Sequence, residues 1–139
     1  MPSDRVLVIG GGPAGMEAAR GAASLGSEVV LVEARERLGG TPDASSYSSF
    51  ALDHRKAADV LQATREGIEA DPLIDVRLQT RLTAFEGQAG DFKATLTNSD
   101  GVTSAVGCAA VVVATGFTHF DPGRETQMYG YYEYEDVIT

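Results

Sequence analysis

The chain has 139 residues, 43% of them hydrophobic, and carries a formal charge of −9. That length allows one domain with one core, and the apolar content excludes a disordered chain. The acidic balance argues against nucleic acid and acidic membrane surfaces as partners, because phosphate binding needs clustered Lys and Arg.

Val6, Leu7, Val8 and Ile9 form an unbroken apolar run, the pattern of a strand buried on both faces. Pro13 marks the next turn, residues 14–25 read as a helix of small residues, and Gly26 stops it. Residues 28–33 ("EVVLVE") are a second buried strand ending in an acid, which completes a β-α-β unit. Residues 45–49 ("SSYSS") read as a loop. Asp53 is expected to cap a helix over residues 54–70, whose Ala57, Val60, Leu61, Thr64 and Ile68 share one face. Pro72 ends it, and Val76 and Leu78, with Leu82 as a further candidate, begin a strand returning to the sheet. Phe92, Ala94 and Leu96 then alternate, residues 98–101 ("NSDG") make a turn, and residues 102–106 come back. Residues 108–114 ("CAAVVVA") are another fully buried strand, followed by Thr115 and Gly116. The expected fold is α/β: a Rossmann-type parallel sheet of the FAD/NAD(P)-binding kind with an inserted antiparallel β-meander. Residues 1–116 would be the nucleotide-binding domain, and residues 117–139 an irregular tail rich in Tyr and acids, leading to a missing remainder.

Gly10-x-Gly12-x-x-Gly15 lies between the first strand and the first helix, the context in which this spacing carries meaning. Gly10 permits the tight turn, Gly12 lets a pyrophosphate reach the backbone, and Gly15 lets the helix pack close to the strand. The helix N-terminus adds free N–H groups and a partial positive charge. Glu33 ends the second strand 23 residues after Gly10, where a carboxylate accepts hydrogen bonds from a ribose diol and repels a 2′-phosphate. Beyond it, "EARERLGG" brings Arg37, Gly39 and Gly40, a second glycine pair suited to a backbone passing close to a longer cofactor.

The acid, the RxGG and "VVVATGF" together resemble the two-dinucleotide-binding-domain flavoproteins, in which they mark an FAD site. The tail "ATGFTHFDPGRETQMYGYYEYEDVIT" resembles the flavoprotein subunit of heterodisulfide reductase and its relatives in Hdr-like complexes, with the ATGF, FDP and YG-x-Y…DVIT elements in order. The first 40 residues are equally similar to the trimethylamine dehydrogenase and dienoyl-CoA reductase group. The resemblance implies FAD relaying electrons between thiol/disulfide chemistry and iron–sulfur partner subunits, and an oligomer for the full-length protein. By position it implies cofactor contacts at Gly10, Gly12, Pro13, Ala14, Gly15, Glu33, Arg35, Gly39, Gly40, Thr41, Thr115 and Gly116, with Leu82 meeting the adenine through backbone groups. Many of these heterodisulfide reductase flavoproteins carry cysteines after the glycine pair and ferredoxin cysteines before the ATG strand. This chain has neither, which favours the shorter Hdr-like type and a fragment holding mainly the ADP half of FAD.

No nucleophile, general base or metal ligand is nominated. Cys108, the only cysteine, reads as a small buried hydrophobe, and it provides neither a disulfide nor a cluster motif. His54 reads as part of a helix-start surface cluster, His119 as a loop residue, and the tyrosines as loop packing on further chain. The apolar run 102–117 is too short and broken to span a bilayer, and no secretion signal opens the chain, so a cytoplasmic location is expected. Two other functions fit the residues: a pyridine-nucleotide-binding domain of an NADH-dependent flavoprotein reductase, and a non-catalytic nucleotide-binding module.

Overall fold

A computed structural model describes residues 4–45, 47–51, 53–118, 121 and 130–137. Four strands form a parallel sheet in the order β3-β2-β1-β7: β1 (Val6–Ile9), β2 (Val29–Val32), β3 (Ile74–Arg77) and β7 (Ala110–Val113). The helices α1 (Pro13–Ser24) and α3 (Ala57–Glu69) supply side chains to one face, and a three-stranded antiparallel sheet covers the other. That second sheet is a meander of β4 (Thr80–Gln88), β5 (Asp91–Asn98) and β6 (Thr103–Cys108). The expected fold class is therefore observed.

The apolar runs follow from this sandwich. Because strand side chains alternate, Val8, Val29 and Leu31 pack with Met16, Ala19, Leu61 and Ile68 of the helices. Leu7, Val30 and Val32 pack with Ala94, Leu96, Val106 and Cys108 of the meander. Burying such a side chain on either face contributes about 1.5–3 kcal/mol. Helix α1 closes where expected: Gly26 takes φ +88°, its N–H donates to Ala23 O, and the Ser27 N–H donates to Ala22 O. Both bonds satisfy carbonyls at the helix end.

Four expectations are corrected. The helix placed at residues 54–70 begins at Ala57, with Lys56 rather than Asp53 before it. Asp53 instead pairs with Arg55, whose guanidinium and backbone N–H hold the exposed carboxyl below its ordinary pKa. The strand expected to run through Val76, Leu78 and Leu82 ends at Arg77, because Gln79 takes a positive φ of 48° and turns the chain. Leu82 belongs to β4, a meander strand with no signal of its own in the sequence pattern. The stretch 108–114 is two strands rather than one: Cys108 closes β6, and β7 starts at Ala110 in the other sheet. Between them Ala109 bonds both ways, its N–H to Arg5 O at 2.8 Å and its carbonyl to Gly90 N–H at 2.9 Å. Nor is β7 buried throughout: it is the edge of its sheet among the described residues, and Val113 is 72% exposed. A short helix, α2 (Gly40–Ala44), was not anticipated. Of the tail, residues 130–137 form turns, and His119 lies outside the described residues.

Cys108 is 1% exposed, and burial raises its thiol pKa, with the positive charge of Arg5 opposing. The native chain is therefore expected to resist iodoacetamide at mildly alkaline pH and to react promptly once unfolded, because the thiolate is the nucleophile. The stabilisation from burying the protonated thiol is complete below the free-thiol value of about 8.5 and is lost as pH rises through the raised value. Rapid alkylation of folded protein would contradict this placement.

Candidate functional site

The loops after β1, β2 and β7 meet at the carboxyl ends of the parallel strands, where β1 lies between neighbours reached by opposite crossovers. Open α/β sheets form their ligand crevices at such switch points. Here a cleft of about 480 Å³ opens, with Ile9, Gly10, Glu33, Arg81, Leu82 and Thr115 among its lining residues.

The bend at residues 10–12 is held by the chain's own contacts. The Gly10 N–H donates to Val32 O at 2.8 Å, and Gly10 turns at φ +108°. A Cβ there would sit 2.2 Å from the Ala114 carbonyl oxygen. At Gly15 a Cβ would lie 1.7 Å from Gly10 O, so α1 presses on the bend more closely than any side chain permits. Gly12 is different: a Cβ would meet only Gly40 Cα, at 3.7 Å, an ordinary contact. Gly12 is also the N-cap of α1 and offers no capping side chain, so the first N–H groups of the helix have neither an intrahelical acceptor nor that substitute. Pro13 occupies the first helical position, where its missing N–H costs nothing.

Glu33 is 7% exposed. Its Oε2 accepts the Gly11 N–H and its Oε1 the Arg35 N–H, both at 2.7 Å. These bonds aim the carboxylate, and each oxygen keeps a lone pair for another donor. The turn into the meander is fastened to the same segment, with the Thr80 N–H donating to Glu33 O and the Gln79 N–H to Arg35 O, each at 2.9 Å. Arg81 and Leu82 thereby line the same cleft as the acid.

The Gly39–Gly40 pair joins this bend directly. The Gly39 N–H donates to Gly11 O at 2.8 Å, and a Cβ on Gly40 would lie 2.7 Å from Gly12 Cα. The space beside Gly39, at φ +132°, is taken by Arg65 and Asp43. The pair thus serves the packing of two loops within the chain. Arg35 is exposed and reaches Gly40 O at 3.2 Å, Thr41 lies in α2, and exposed Gly116 turns at φ +74° after Thr115.

The structure thus brings Gly10, Glu33, Leu82 and Thr115 to one cleft, with Gly12, Pro13, Ala14 and Gly15 at the adjoining start of α1. His54 is exposed, at φ +54°, and is not among the cleft's lining residues. Sequence reasoning missed Gly11, where a Cβ would strike Leu38 at 2.4 Å and Glu33 at 3.0 Å. Its place in the middle of three consecutive glycines, 10–12, was its available signal. It also missed Thr80, Arg81, Asp43 and Arg65, which no local pattern marks.

A family model described as "Pyridine nucleotide-disulphide oxidoreductase" matches residues 4–137. The chain is 30% identical over 130 residues to a ferredoxin–NADP reductase of Leuconostoc citreum (strain KM20), covering 90% of this chain and 37% of that protein. It is 29% identical over 127 residues to an iron-sulfur subunit of CoB–CoM heterodisulfide reductase from Methanopyrus kandleri, covering 87% of this chain and 19% of that one. Among solved structures, L-proline dehydrogenase from P. horikoshii superposes with a TM-score of 0.70 at 25% identity, over 81% of this chain and 22% of that one. The chain spans little more than a third of the longest-covered of these relatives.

Proposed function

The chain belongs to the pyridine nucleotide-disulphide oxidoreductase family, and from that premise we propose that it binds FAD by the cofactor's ADP half, as part of an oxidoreductase. The observation that carries the proposal is the pairing of a bend cleared at Gly12 with a buried, aimed carboxylate on Glu33. The residues suit the group. Gly10, Gly12, Pro13, Ala14 and Gly15 would hold the pyrophosphate at the uncapped start of α1. Glu33 would accept the ribose hydroxyls, and Leu82 would meet the adenine through its backbone. Arg35, Gly39, Gly40, Thr41, Thr115 and Gly116 would border the path toward the flavin.

FAD, when bound, would supply the two-electron redox chemistry. The chain's part is to bind, orient and neutralise. Backbone N–H groups and the helix dipole offset the diphosphate charge, while Glu33 selects a free ribose diol over a 2′-phosphate.

For the parent protein, the proposal is an electron-transfer component of a cytoplasmic, oligomeric, heterodisulfide-reductase-like complex. It would relay electrons between thiol/disulfide chemistry and iron–sulfur partners. The tail resemblance and the similarity to the Methanopyrus kandleri protein support this reading. The similarity to ferredoxin–NADP reductase favours a second one, a nicotinamide-linked flavoprotein reductase.

Gly12→Ala tests the site itself. Its methyl fits the chain, so the unfolding midpoint should stay within a few degrees of wild type. The methyl also occupies the space the diphosphate would approach, so ADP affinity measured by calorimetry should fall about tenfold, a loss of about 1.4 kcal/mol. Unchanged affinity would remove the bend from the site. Flavin absorbance of the longer protein, with the released cofactor weighed by mass spectrometry, decides between FAD and a bare nicotinamide nucleotide.

A further inference from the structure

The glycine pair that packs on the nucleotide bend is itself held from behind. Arg65 lies on α3, about two turns along that helix. It is largely buried, with 16% of its side chain exposed. Its Nε donates to Leu38 O at 2.7 Å, and its Nη2 donates to the Asp43 carboxylate, itself 22% exposed. Asp43 also takes Arg37 Nε at 3.1 Å. Leu38 and Asp43 flank Gly39 and Gly40, and the Gly39 N–H bonds to Gly11 O, next to the N–H that aims Glu33. A continuous path of hydrogen bonds therefore runs from α3 through Leu38–Asp43 to the bend and the acid. Its flexible link is a pair of glycines at positive φ, +132° and +63°, which without outside support have the widest conformational freedom of any residues.

We propose that Arg65 is a positioning residue for the nucleotide cleft, its two-pronged grip on Leu38 O and Asp43 holding Gly39–Gly40 against the Gly11–Gly12 backbone. The proposal rests on the ADP-binding reading above. Arg65 reaches no ligand in this role. It reduces the ordering that binding would otherwise demand of a glycine hinge, and preorganisation of that kind shows directly as affinity. The planar guanidinium is needed because the two acceptors differ in position and kind, one a carbonyl and one a carboxylate; a lysine ammonium lacks the fork.

The test compares Arg65→Met, Asp43→Asn and Arg77→Met in the 139-residue chain, with ADP as the probe. Arg77 pairs with Asp75 and Ser104 and serves as a structural control. Affinity is measured by calorimetry well below each variant's unfolding midpoint, with folding checked by circular dichroism. Arg65→Met should weaken ADP binding about tenfold or more, as loss of a supporting shell commonly does. Asp43→Asn should weaken it less, because the Leu38 contact survives. Arg77→Met should lower the midpoint and leave affinity unchanged, which a merely structural role for Arg65 would also do. ADP affinity within about twofold of wild type in Arg65→Met, while Glu33→Ala in the same assay loses binding, would overturn this inference and leave the site standing. Should Arg65→Met not fold, Asp43→Asn decides by the same criterion. Failure of the wild-type chain to bind ADP would overturn the site, and this inference with it.

Discussion

Replacing Gly15 with alanine is expected to remove most of the chain's stability, about 4 kcal/mol or more. Ordinary overpacking costs about 1–3 kcal/mol because side chains can rotate away. Here the added carbon would lie 1.7 Å from Gly10 O, and a backbone carbonyl in a bent loop has no rotamer to change. Helix α1 would have to lift from β1, taking Met16 and Ala19 out of the core they share with Val8 and Leu31. The same substitution at Gly21 or Gly67 makes the contrast. Both lie in helices, neither has a neighbour within 4 Å of a built Cβ, and alanine there should stabilise by about 0.5–1 kcal/mol. Chemical denaturation of the three variants reads the difference. A Gly15→Ala protein as stable as wild type would mean that the helix does not pack as closely as described.

The second large effect is expected at Glu33. Truncation to alanine leaves the buried Gly11 N–H and the part-buried Arg35 N–H without their acceptor. Each orphaned buried donor costs about 1–3 kcal/mol and the part-buried Arg35 N–H falls at the low end, so stability should fall by roughly 2–4 kcal/mol in all. ADP binding should be lost with it. Glu33→Gln separates the two consequences. The amide keeps the shape and one acceptor, but its NH2 must face one of the two N–H groups. Glutamine should therefore recover part of the stability and little of the affinity. Thermal unfolding beside ADP titration checks both. A Glu33→Ala chain with wild-type ADP affinity would detach the ribose from this acid.

The parallel core was legible because its signals are local. A run such as Val6–Ile9 or Val29–Val32 is apolar at every position only if both faces are covered, and both are. The positive-φ turn at Gly26 and the Asn98 turn are equally local, the latter closed by the Asn98 side chain accepting from the Asp100 and Val102 N–H groups. The candidate site was partly legible for the same reason. Glycine spacing reports backbone clearance, and an acid ending a buried strand stands out against its neighbours.

Other features were illegible because their causes lie far along the chain. "CAAVVVA" reads as one strand, yet Ala109 is divided between sheets by bonds to Arg5 and Gly90, which no window of neighbouring residues contains. Strand β4 hides because only its first residues are inward-facing and covered, and the register shifts between Leu82 and Ala84. Arg65 reads as one more polar residue on an amphipathic helix, since Leu38 and Asp43 lie 27 and 22 positions away.

The sequence by itself determined which residues must be small, which strands must be buried and where an acid ends a strand, because steric clearance and apolar burial act on each residue singly. Tertiary structure alone decided which sheet each late strand joins, why Gly39 and Gly40 lack side chains and what holds Glu33 in line. Those are pair properties: a hydrogen bond or a clash needs two partners, and here folding sets the partners side by side.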